Sequence, residues 1–92
     1  MREDRSHKRI YLYLASRGGP QKFTLGTFAD IAAAGIELKP GIELPFYADD
    51  EDAAGNRDDL IFEGTVGYDE VRDRWYATVD PDSIRHQSDE QK

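Results

Sequence analysis

The chain has 92 residues, a net charge of −7 and no cysteine, which bounds it to one domain without disulfide staples, thiolate zinc sites or cysteine nucleophiles. The acidity works against tight, non-specific nucleic-acid binding, which depends on displacing counterions from phosphates with cations. No apolar run approaches the ~20 residues of a membrane helix, so the composition predicts a cytoplasmic protein.

Charge is unevenly spread. Residues 1–22 hold six Lys/Arg against Glu3 and Asp4, whereas the rest of the chain holds six against seventeen acids. This makes weak nucleic-acid binding through the basic N-terminal segment a third functional reading, behind protein interaction and ion binding. Residues 1–8 read as a polar, flexible tail. Ile10-Tyr11-Leu12-Tyr13-Leu14 alternates aliphatic and aromatic side chains and predicts a first strand. No charge or proline blocks its edges, so it is expected to lie inside the sheet, or else to pair with a second copy. Arg17-Gly18-Gly19-Pro20 ends it in a turn.

Thr24 to Ala34 predicts the helix. Thr27 stands as N-cap with Asp30 three residues on, and Gly35 stands at the C-terminal stop. Phe28, Ile31 and Ala32 form an apolar stripe that should lie on the sheet. Gly35-Ile36-Glu37-Leu38 then recurs as Gly41-Ile42-Glu43-Leu44, and Pro40-Gly41 suits the centre of a type II turn. Ile42 to Ala48 reads as a strand in which Pro45 marks an edge or a bulge.

Leu60 to Val79 carries the strongest pattern. Leu60, Phe62, Val66 and Tyr68 alternate with Glu63 and Thr65, Asp69 to Asp73 turns the chain, and Trp75, Ala77 and Val79 alternate with Tyr76 and Thr78. Such period-two alternation predicts a half-buried antiparallel hairpin, with Trp75 buried against Phe62 or Val66. Asp80-Pro81-Asp82-Ser83 resembles a single capped helical turn. Ile84-Arg85-His86 follows as a short last strand and residues 87–92 as a second flexible tail.

Strand, long polar loop, hairpin, tight turn and short final strand, from Leu38 to His86, resemble in their order the small SH3-like barrels. The resemblance implies a mainly β (α+β) domain over residues 9–86: a small antiparallel, partly open SH3-like barrel with one short helix. Peptide-binding SH3 domains place aromatic residues in and after the long loop, whereas residues 49–59 contain none.

Two sets of residues carry functional expectations. Ten aromatic residues exceed what so small a core can bury, and Tyr11, Tyr13, Tyr47 and Tyr76 are expected to offer an interaction surface, since Tyr is enriched at protein interfaces. The acidic loop supplies the alternative. With Gly55 as the turn glycine of a calcium loop, Asp50, Asp52 and Asp58 would offer side-chain oxygens and Asn56 a backbone carbonyl, but Ala54 and Ile61 stand where two further ligands belong. His7 and His86 lack a paired nucleophile, and no serine has a nucleophile-elbow context. The reading is therefore a non-enzymatic protein-interaction module without a cofactor, binding another protein or itself, with a divalent-cation-binding regulatory domain as the alternative.

Overall fold

The computed structural model describes residues 9–15, 18–51 and 53–91; the expected tail 1–8 lies outside them. In chain order the elements are β1 (Ile10–Tyr11), β2 (Gly19–Lys22), α1 (Leu25–Ala34), β3 (Glu43–Ala48), β4 (Leu60–Asp69), β5 (Arg74–Val79), a 3-10 turn (Pro81–Ser83), β6 (Arg85–His86) and a second 3-10 turn (Gln87–Gln91). The six strands form one sheet in the order β1-β3-β4-β5-β2, with β6 also paired to β4. It is a small α+β domain whose sheet does not close into a barrel.

The meander β3–β4–β5 is antiparallel, with Phe46 opposite Phe62 and Val66 opposite Ala77. Pro40-Gly41 forms the expected type II turn: Gly41 has φ of 97° and the Ile42 N–H reaches the Lys39 carbonyl at 3.4 Å. The β4–β5 turn also forms where the polar residues stand. Asp69 Oδ1 accepts the Val71 and Arg72 N–H groups, and Asp73 adopts a left-handed conformation with φ of 54°.

One expectation of the sheet is corrected at its outer strand. β1 is two residues long, pairs with β3 in parallel, and forms an edge of the sheet rather than its interior. A parallel pair needs a long crossover, and here the chain travels through β2 at the opposite edge and then α1 before returning as β3. The Leu12 N–H still reaches the Tyr47 carbonyl at 2.9 Å. By alternation the Tyr11 N–H then faces outward, where Asp30 of α1 accepts it at 2.9 Å. The missing N–H of Pro45 falls on the β1 side of β3, just before β1 begins, so proline costs no ladder bond there.

The helix starts three residues earlier than the reading of Thr27 as its cap. Thr24 is the N-cap; its hydroxyl accepts the Thr27 N–H at 3.4 Å while Thr27 Oγ1 accepts the Thr24 N–H at 3.1 Å. Gly35 ends it in the left-handed conformation as expected. The fully buried stripe is Thr27 and Ile31; Ala32 faces outward, and Phe28 is partly exposed with its ring edge to face on the buried Phe23 at 5.6 Å. The 24, 27, 31 spacing places these residues on one side of the helix, and that side meets the core.

The core lies on one face of the sheet, where Ile10, Leu44, Phe46, Phe62, Val66, Ala77 and Val79 gather with Leu12, Phe23 and Ile31. Phe46 and Phe62 stack at 6.0 Å. Gly64 is buried among them because a Cβ there would fall 3.0 Å from the Thr78 carbonyl and 3.2 Å from the Phe46 ring. Trp75 is half-buried against the core cluster that holds Phe62 and Val66, and its direct cross-strand partner is Tyr68, ring centroids 5.0 Å apart. The hairpin register sets this: Trp75 sits one residue after the turn-flanking pair of Asp69 and Arg74, at the open end of the core.

Candidate functional site

The acidic loop is a small hairpin of its own. The Asp58 N–H reaches the Asp50 carbonyl at 3.0 Å, Glu51 and Arg57 bridge across it, and Gly55 takes φ of 88° at the tip. Arg57 lies at its base and grips Asp59 with two hydrogen bonds, Nε to Oδ1 at 2.9 Å and Nη2 to Oδ2 at 3.1 Å, with Asp49 Oδ1 at 3.5 Å. The Asp59 hydrogen bond raises the Arg57 guanidinium above its ordinary pKa, and Asp59 is itself buried.

The other loop carboxylates reach the C-terminal segment. Asp50 Oδ2 meets His86 Nε2 at 2.9 Å. Asp58 accepts both the Ser88 N–H at 3.0 Å and the Ser88 hydroxyl at 2.8 Å, while the Gln87 N–H reaches the Asp59 carbonyl at 2.7 Å. The hydrogen bond to Asp50 raises the His86 pKa, and the two from Ser88 lower that of Asp58. Residues 87–91 therefore form a 3-10 turn docked on the loop, where a flexible tail was expected.

Two carboxylates of the calcium alignment are engaged within the chain. Asp50 faces histidine, Asp58 faces serine, Asn56 is exposed at the loop tip, and Asp52 lies outside the described residues. Among the described residues no three His, Asp or Glu side chains form a group able to hold a metal ion. Sequence reasoning missed His86 and Ser88 as partners of the loop, because they lie 36 and 30 residues from Asp50 and Asp58.

The face of the sheet opposite the core presents a second cluster. Glu63 Oε2 meets Arg9 Nη1 at 3.2 Å and Glu63 Oε1 meets Arg85 Nη1 at 2.9 Å. Arg9 also donates to the carbonyls of Phe46 and Phe62. Partial burial pushes the Glu63 carboxyl up, but the Arg85 and Arg9 hydrogen bonds outweigh it and leave the group below its ordinary value. The backbone of Glu63 is bound too: Ser83 Oγ accepts its N–H at 3.0 Å and the Asp80 N–H reaches its carbonyl at 3.1 Å. The 3-10 turn thus fills the stretch of β4 between β5 and β6.

The four tyrosines do not form one patch. Tyr11 and Tyr47 meet edge to face at 5.6 Å across the β1–β3 pair, both half-buried. Burial, and then the charges of Asp30, Asp49 and Asp59, raise the Tyr47 phenol above its ordinary pKa. Tyr13 lies beyond β1 and is 60% exposed. Tyr76 sits across the sheet on β5, paired with Gly67 of β4. The larger apolar exposure is on α1, where Leu25 is 88% and Phe28 39% exposed, one turn apart. Its only sequence signal was the apolar stripe, assigned to the opposite side of the helix.

Comparison with models of known protein families, with curated proteins and with solved structures finds no match for this chain.

Proposed function

We propose that this chain is a non-enzymatic, cytoplasmic protein-interaction module built as an open SH3-like barrel, and that its contact surface is the outward side of α1. The observation that carries the reading is the exposure of Leu25 and Phe28 beside exposed Ala29 and Ala32 on one helix face. A contiguous apolar face on a small domain marks a binding surface more often than solvent exposure for its own sake. Sheet edges offer less. Asp30 occupies the outward N–H of Tyr11 on β1, and Pro20 removes one outward N–H from β2.

The occupant we assign is a second copy of the chain. From Leu25 to Ala34 the single charged residue is Asp30, whose carboxylate is turned onto the Tyr11 N–H. Two bodies of net charge −7 therefore meet with least repulsion at this face. The meander, the 3-10 turn and the short β6 support the SH3-like likeness; the parallel β1–β3 pair departs from it. The absence of cysteine supports the cytoplasmic assignment.

Sedimentation equilibrium over a wide concentration range tests the reading. A two-turn helix face buries well under the ~800 Å² per partner of stable complexes, so a weak dimer is expected. Leu25→Glu, at the most exposed position of the face, should abolish it with the fold retained, and Phe28→Glu should abolish it while also loosening the Phe23 contact. A monomer at every concentration would sink the self-association, and a dimer insensitive to both substitutions would move the contact elsewhere.

A further inference from the structure

On the face opposite the core, at the β2–β5–β4 corner, lies an open concavity of about 690 Å³ lined by Pro20, Lys22, Arg74, Tyr76 and Thr78 together with the β4–β5 turn. Tyr76 is its floor. A Cβ built on Gly67 would fall 2.5 Å from Tyr76 Cζ and 2.9 Å from Cε2, so the phenol ring lies across the bare backbone of Gly67. Lys22 stands directly opposite Tyr76 on β2, and Arg74 precedes it by two residues on the same face of β5. Both cations are exposed, and neither makes an ion pair among the described residues.

The acids beside them are weaker competitors than the sequence suggests. Asp69 accepts two turn N–H groups through Oδ1 and has Arg72 Nη1 at 3.9 Å from Oδ2. Glu70 is exposed in the turn. What remains at the ring itself is an aromatic surface with an exposed cation on each of two sides, Arg74 standing across the hairpin from Asp69.

We propose that this corner is a stacking platform for single-stranded nucleic acid, one base resting on Tyr76 with neighbouring phosphates at Lys22 and Arg74. An aromatic ring open on a sheet face and flanked by cations is the combination that binds single strands without reading sequence. The concavity is too open to enclose a free nucleotide, which needs most of its surface buried, so a strand making several contacts is the fitting occupant. An acidic peptide would satisfy the two cations and leave the ring without a planar partner. The net charge of −7 makes the binding weak and short-ranged. The proposal does not rest on the α1 face.

Fluorescence anisotropy with a labelled oligothymidylate of about ten nucleotides, at about 20 mM salt, tests it on the full chain. Saturable binding with a dissociation constant on the order of 10⁻⁴ M is expected. Two phosphate contacts predict a log–log salt slope of about −1.4, and Lys22→Ala or Arg74→Ala should each reduce its magnitude by about 0.7. Tyr76→Ala should weaken binding roughly five- to a hundredfold, and Tyr76→Phe should restore most of it. Lys22 and Arg74 are exposed, so their variants keep the test valid if Tyr76→Ala fails to fold. No saturable signal, a slope unchanged by both cation variants, or equal competition by oligoglutamate would each overturn the proposal.

Discussion

Glu63 joins three parts of the chain through one side chain and its own peptide. Arg9 from before β1, Arg85 from β6 and Ser83 from the 3-10 turn all converge on it. His86 is a similar junction with a proton at its centre. Its folded pKa lies above the ordinary 6.5, so the stability it contributes is fully present below that value and is lost as pH rises through the folded value. His86→Gln should lower Tm near pH 6, and the gap to the wild type should narrow towards pH 8. Asp58 runs the other way. Its folded value is depressed below 3.8, so its contribution is present above that pH and disappears as pH falls through the folded value. Asp58→Asn should therefore lower Tm at neutral pH, with the difference vanishing in strong acid; a pH series of thermal melts reads both. In the core, Gly64→Ala should cost about 1–3 kcal/mol by overpacking, because its Cβ would press on the Thr78 carbonyl and the Phe46 ring. Chemical denaturation would measure that loss, and an unchanged midpoint would mean the pair can move apart.

At the scale of elements, α1 supplies both a wall of the core and a guard for the edge of β1. Asp30→Ala would leave the Tyr11 N–H without its acceptor, at a cost of about 1–3 kcal/mol if water does not replace it. Faster amide exchange at Tyr11, with exchange in β4 unchanged, is the expected signature. The elements also divide by how legible they are in sequence. The β4–β5 hairpin, the Pro40-Gly41 turn and the Gly35 stop were readable because each is settled by residues within a few positions of one another. The helix start was missed because Thr24 and Thr27 cap reciprocally, with threonine at the third helical position where glutamate or glutamine usually signals the box. β1 was misplaced because an uncharged alternating strand looks central when its protector, Asp30, stands 19 residues away. The carboxylate partners in the acidic loop were unreadable for the same reason, since Asp50–His86 and Asp58–Ser88 span 36 and 30 residues.

Across the whole molecule, the acidic loop acts as the seat for the end of the described chain. Millimolar Ca²⁺ or Mg²⁺ should leave Tm nearly unchanged, because Asp50 and Asp58 already have partners and binding would have to displace them. A saturable, EDTA-reversible rise that disappears in Asp50→Asn would reinstate an ion site. Removing residues 87–92 should instead lower Tm by deleting the Ser88 and Gln87 hydrogen bonds to the loop.

The parallel β1–β3 pair also has a consequence in time. Neighbouring strands of the meander need only short loops to close, whereas β1 must wait for a segment of more than 30 residues to fold back before Ile10 meets Phe46. β2 must wait longer still, since Gly19 pairs with Val79. Loop closure is paid before such distant contacts return anything, so the nucleus should be β3–β4–β5, with β1, β2 and α1 docking afterwards. Mutations at the Phe46–Phe62 contact should then slow refolding, while mutations at Ile10 or Gln21 should mainly hasten unfolding. The same segments, added last, leave the ribosome before the strands they join. The N-terminal third therefore spends its synthesis without a sheet to join.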